Sequence, residues 1–140
     1  MKFWDASAVI PLCVRESQSL LVKKIAEEDG AIVVWWTTPV ECYSAFARRR
    51  RDDTLTRLHE DQARQVVARL AADWTEVQPG HQLRETAARG LLLHPLRAAD
   101  ALQLAAGLLW AGGRAARHQF VCLDPRLREA AQREGFQILP

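Results

Sequence analysis

The chain is poor in lysine and cysteine and has no long apolar run, and each scarcity narrows what it can be. Its three cysteines, Cys13, Cys42 and Cys122, are odd in number, widely spaced and set in apolar stretches. That pattern excludes a disulfide framework and any Cys-x-x-Cys zinc site, and it suits a reducing compartment. No segment approaches the roughly 18 apolar residues that a membrane-spanning helix needs. The longest apolar run, Leu104 to Gly113, carries three glycines. Asp5 interrupts the apolar start of the chain and Arg15 closes it, so no signal peptide is read there. A cytoplasmic protein without membrane association is expected. Of 19 basic residues only Lys2, Lys23 and Lys24 are lysines. Arginine offers a planar fork suited to phosphate oxygens, but a GC-rich genome yields the same bias. The formal net charge of +2 is too mild to identify a partner.

What is present suits one folded unit. At 140 residues, split cores would be too small, whereas one domain buries roughly 70% of its unfolded surface. Hydrophobic residues at 49% and charged residues at 26% exclude disorder. Short β-rich runs alternate with helical patterns. Strands are predicted at Lys2–Trp4, Ala31–Trp36, Thr75–Gln78, Gln119–Leu123 and Phe136–Leu139. Between them, helices are predicted from a Ser7 cap to Val14, from Ser17 or Ser19 to Glu28, and from a Thr37-Thr38-Pro39 start through Val40–Arg51. Further helices run over Thr54–Trp74, Gly80–Gly90, Arg97–Ala111 and Pro125–Glu134. No repeat, low-complexity tract or linker interrupts residues 1–140. The alternation predicts an α/β domain, a mainly parallel sheet wrapped by helices.

Most acidic residues sit where solvent is expected, as in Glu27-Glu28-Asp29, but four lie in apolar settings: Asp5, Glu41, Asp100 and Asp124. Acids are rarely buried unless paired. Each alone has a structural explanation. Asp5 turns the chain after a strand, and Thr38-Pro39-Val40-Glu41 reads as a capping box. Asp100 complements a helix dipole, and Asp124 before Pro125 caps a helix. Together they share an address, because strand ends and following helix starts meet on the carboxyl edge of a parallel sheet. Two carboxylates about 5 Å apart repel by about 3 kcal/mol at an effective dielectric near 20. Six such pairs would cost on the order of 20 kcal/mol, against a typical stability of about 5–15 kcal/mol. A cleft holding all four must protonate or bind cations, and an all-oxygen set suits Mg²⁺ or Mn²⁺. That arrangement serves metal-assisted phosphoryl chemistry.

Met1–Ile10, Val40-Glu41-Cys42-Tyr43-Ser44-Ala45, Leu96–Ala105 and Phe120–Ala131 resemble the PIN domain. Length and motif order resemble the small bacterial VapC toxins of VapBC toxin–antitoxin systems, over essentially the whole chain. The resemblance implies a three-layer PIN-like α/β fold and a Mg²⁺- or Mn²⁺-dependent endoribonuclease that hydrolyses tRNA or rRNA. It also implies a homodimer neutralised by a VapB-like antitoxin. By position, Asp5, Glu41, Asp100 and Asp124 match the acidic quartet, with Asp5 and Asp100 the direct metal ligands and Glu41 and Asp124 as further ones. Ser7 matches a small hydroxyl supporting the first acid. Cys122 departs from the Thr or Ser common at its position, and a thiol is a poorer hydrogen-bond partner for Asp124.

Other residues carry both bland and functional readings. Arg97 shares a helix face with Asp100 and is the stronger phosphate contact; Arg48–Arg51 reads as a solvated helix end or an RNA or antitoxin contact. Gln103, one turn from Asp100, reads as a substrate hydrogen-bonding group or an exposed neighbour. The four histidines are assigned no catalysis, and Trp35, Trp36 and Trp110 are expected in the core or a dimer interface. Tyr43 reads either way. The alternative function is a non-catalytic PIN-like module that binds RNA or a protein.

Overall fold

In the computed structural model, which describes residues 1–140, the chain runs through five strands and seven helices, with two helices after each of the first three strands and one after the fourth. Strand β1 is Lys2–Trp4, followed by helices α1 (Ala6–Cys13) and α2 (Ser19–Asp29). Strand β2 (Ile32–Trp35) leads to α3 (Thr38–Arg51) and α4 (Arg57–Asp73), and β3 (Thr75–Val77) to α5 (His81–Leu93) and α6 (Ala98–Trp110). A 3-10 turn at Ala115–Arg117 precedes β4 (Gln119–Val121), then α7 (Pro125–Arg133) and β5 (Gln137–Leu139) close the chain. All pairings are parallel and the strand order is β3-β2-β1-β4-β5. The chain leaves β1 toward β2 on one side and later reaches β4 on the other. That change of direction puts the switch point of the sheet at the carboxyl ends of β1 and β4, where open α/β sheets place their ligands.

Alternation along the strands makes three layers, because successive side chains point to opposite faces. Phe3, Val33, Trp35, Phe120 and Cys122 face one side and pack with Leu83 and Ala87 of α5, Leu104 and Ala105 of α6, and Leu127 of α7. Trp4, Val34 and Val121 face the other side and pack with Val9 of α1, Val22 of α2, Phe46 of α3 and Val67 of α4. Both faces are covered, so the strands read as continuous apolar runs. Helix α6 approaches the sheet closely: a Cβ at Gly107 would stand 2.7 Å from the Phe120 ring.

Several local expectations are corrected. Helix α1 is capped by Asp5, which accepts the Ser7 N–H at 2.9 Å, and not by Ser7. Helix α2 starts after Gln18 without a side-chain cap and ends at Gly30, whose φ of 67° suits glycine. Thr56 caps α4 through the His59 N–H at 3.1 Å, while Thr54 caps nothing and bonds back to the Arg49 carbonyl. Helix α5 runs past Gly90 to Leu93. Trp36 is 50% exposed because β2 ends before it, which removes it from the core and leaves only the dimer-interface reading of it. Asp29, expected in solvent, has a fully buried carboxylate that receives the N-terminal ammonium at 2.9 Å, Lys2 at 3.3 Å and the Trp4 indole N–H at 2.9 Å. No helix is long and apolar enough to cross a membrane.

Candidate active site

Asp5 is the residue after β1, and its backbone N–H continues the ladder to the Val121 carbonyl of β4 at 3.0 Å. Its side chain is buried and caps α1. Three protein donors meet on one oxygen, Oδ2: the Ser7 N–H, the Ser7 hydroxyl and the Cys122 thiol at 3.6 Å. Oδ1 receives none of these bonds. Burial, reinforced by the Glu41 charge and opposed by the bonds from Ser7 and Cys122, pushes the Asp5 carboxyl up to about 6.

Ser7 is the fastening between the two central strands. While donating to Asp5, its Oγ accepts the N–H groups of Leu123 at 2.9 Å and Asp124 at 3.2 Å. Two residues past β4 the chain is thus anchored beside the end of β1. Asp124 caps α7 by accepting the Leu127 N–H on Oδ1 at 2.9 Å, again leaving the second oxygen bare. The expected weakness at Cys122 falls elsewhere: its thiol bonds the Asp5 carboxylate and the backbone carbonyl of Asp124, and Asp124's side chain does not use it.

Glu41 lies in the first turn of α3 and forms no capping box with Thr38, because the helix cap is Thr37 and makes no side-chain cap bond. Instead the Thr37 hydroxyl donates to Glu41 Oε1 at 2.7 Å, and Gln103 Nε2 reaches the same oxygen from α6 at 3.1 Å. Gln103 is fully buried, which corrects both readings of it as a substrate contact and as an exposed neighbour. Helix α6 follows a helix, not a strand, so the alternation of elements did not by itself place Asp100. Burial raises its carboxyl above the usual range, with Asp124 adding to the rise and Arg97 and Arg126 opposing it.

The four acids are therefore linked in a ring, by hydrogen bonds at Gln103 and Ser7 and by electrostatic influence alone between the carboxylates of each pair. Asp5 couples to Glu41, Glu41 is tied to α6 through Gln103, Asp100 of α6 couples to Asp124, and Asp124 returns to Asp5 through Ser7. The ring is not a single tight cluster, since no group of three or more such side chains stands ready to share one ion. The electrostatic strain expected from six mutual repulsions is instead carried mainly by desolvation, with one acidic neighbour adding to it in each pair. The principal pairs are Asp5 with Glu41 and Asp100 with Asp124, not Asp5 with Asp100. Mg²⁺ is typically held by one or two carboxylates and keeps several waters. Asp5, Glu41 and Asp124, each with one oxygen anchored and one bare, offer donors of the kind such an ion takes.

Around the ring, Arg97 and Arg126 are exposed and close enough to lower Asp100. Arg126 escaped the sequence reading, although its place in Asp124-Pro125-Arg126, the first turn of α7, was the available signal. Thr37 and Thr38 escaped too, because hydroxyls ahead of Pro39 read as an ordinary helix start. The arginine run is partly spent on ion pairs, Arg49 with Glu16 and Arg50 with Glu60 at 3.4 Å. Tyr43 lies under the Arg64 guanidinium at 3.9 Å. Three of the four histidine side chains bond elsewhere, His94 to Glu134 at 2.8 Å, His81 to Glu85, and His118 to the Arg114 carbonyl. No protein-family model matches the chain, and none of the curated proteins does either.

Proposed function

We propose that this chain is a Mg²⁺- or Mn²⁺-dependent endoribonuclease that hydrolyses phosphodiester bonds of tRNA or rRNA, acting as the toxin of a VapBC-like pair. The observation that carries the reading is the anchoring of Asp5, Glu41 and Asp124, each with the bonds it accepts gathered on one carboxylate oxygen, at the carboxyl edge of the sheet. Asp5 with its neighbour Glu41, and Asp100 with its neighbour Asp124, would each offer carboxylate oxygens to a cation. A bound divalent cation supplies Lewis acidity toward a phosphodiester and makes water a better nucleophile. The chain's own part is positioning. Ser7 holds Asp5 and the Asp124 backbone in one register, Thr37 and Gln103 fix Glu41, and exposed Arg97 and Arg126 receive phosphate oxygens. A homodimer and an antitoxin that covers the acidic edge belong to the same reading; Leu20 and Leu92, 83% and 87% exposed, offer apolar surface for a partner.

A non-catalytic PIN-like module that binds RNA or protein is favoured by one observation, the standing of the acids as two pairs. Incubation with total tRNA and rRNA separates the two. The nuclease reading expects cleavage with Mg²⁺, none with EDTA, and a loss of at least about 100-fold in Asp100→Asn, since several kcal/mol of charge stabilisation disappear. Full activity of Asp100→Asn, or cleavage undiminished by EDTA, defeats it.

A further inference from the structure

Helix α6 buries an amide in an otherwise apolar face. Gln103 is flanked by Ala101, Leu104, Ala105 and Ala106, all buried, and is itself 0% exposed. Its Nε2 donates to Glu41 Oε1 at 3.1 Å and to Thr38 Oγ1 at 3.3 Å, while its Oε1 is sealed from solvent and has no partner. A buried carbonyl left unbonded is destabilising, and an apolar side chain of similar length would avoid that cost. Reversing the amide offers no relief, because Oε1 would then face Glu41 Oε1, acceptor against acceptor. The fold alone gives no reason for an amide here; the Glu41 carboxylate does.

We propose that Gln103 is a positioning residue that locks Glu41 in a single orientation, Oε1 engaged and Oε2 turned free for a divalent cation. The proposal rests on the cation-binding reading above. Glu41 has a flexible side chain, and Thr37 is a neighbour on the same helical turn, so a donor on its own helix leaves much of that freedom. Gln103 adds a fixed point on another helix, 62 residues away in sequence. It also lies three residues after Asp100, on the same face of α6. One turn of α6 therefore carries Asp100 and the clamp on Glu41, so it sets the spacing of the two acidic pairs.

The test is Gln103→Met, which is close in volume and removes both the donor and the stranded carbonyl. Mn²⁺ affinity by calorimetry and thermal melting of the metal-free protein are measured together. The expected result is a melting temperature that is unchanged or higher, with Mn²⁺ affinity about tenfold weaker, as for groups that orient metal ligands. In a Glu41→Gln background the same substitution is expected to leave Mn²⁺ affinity nearly unchanged, since its effect passes through Glu41. Gln103→His, which retains an N–H donor, covers the case of a Met variant that does not fold and is expected to keep affinity close to that of the unaltered protein. The proposal is overturned if Gln103→Met lowers melting while Mn²⁺ affinity holds, or if the full loss persists without Glu41. An unaltered protein that binds no Mn²⁺ overturns the cation reading and this proposal with it, whereas normal binding by Gln103→Met overturns this proposal alone.

Discussion

Ser7 Oγ accepts the backbone N–H of Asp124 at 3.2 Å across 117 residues of sequence. The same oxygen accepts from Leu123 and donates to Asp5, so a single hydroxyl sets the distance between the ends of β1 and β4. Three satisfied bonds at a partly buried atom make this a structural joint as well as a support for the acid.

Ser7→Ala is accordingly expected to destabilise the fold by about 1–3 kcal/mol, because two backbone N–H groups lose their acceptor. Urea unfolding measures this. An unchanged midpoint would mean that water replaces the hydroxyl without loss.

The thiols are expected to be inert in the native state. Burial pushes Cys13 up to about 12. Burial raises Cys42 and Cys122 too, with nearby acids adding to it in both. Few thiolates exist near pH 8, and the thiolate is the reactive form. A disulfide-exchange reagent should find no fast thiol in native protein and all three after denaturation. Rapid native labelling of Cys122 would contradict its placement beside Asp5.

Arg97 and Arg126 are expected to contact RNA phosphates, whereas Arg49, paired with Glu16, is not. Binding to single-stranded RNA at several salt concentrations should show Arg97→Ala and Arg126→Ala each weakening affinity and lowering the salt slope by about 0.7. Arg49→Ala should leave the slope alone. Unchanged slopes in the first two would remove them from the interface.

β1, β2 and β4 were legible because each is short, largely apolar and followed by a helical pattern, and the parallel order followed from that succession of strands and helices. The acids were legible as misfits: charge in Phe3-Trp4-Asp5 or Leu123-Asp124 has no solvent to explain it. What holds those acids was hidden, because it depends on partners distant in sequence. Gln103 reads as a polar residue in an apolar helix, and only the meeting of α6 with α3 shows that it serves Glu41. Asp29 was misread for the same reason, since its buried partners, the N-terminus, Lys2 and Trp4, come from the neighbouring strand. Trp36 stands outside the core because an apolar run does not announce that the strand beneath it has ended.

The central claim is that the acidic edge is unfavourable without a cation, and the pH dependence of stability tests it most directly. Burial lifts Asp5 from 3.8 to about 6, so its neutral form is favoured in the folded state. The sign follows: stability is full below about pH 4 and is lost as pH rises through about 6, by about 3 kcal/mol. The measurement is thermal melting of metal-free protein and of Asp5→Asn from pH 4 to pH 8, without and with Mn²⁺. The account predicts that the metal-free protein falls relative to Asp5→Asn as pH rises, by roughly 10 °C, and that Mn²⁺ at pH 7 restores it while leaving Asp5→Asn unmoved. Parallel melting curves for the two proteins, or equal stabilisation of both by Mn²⁺, would contradict it.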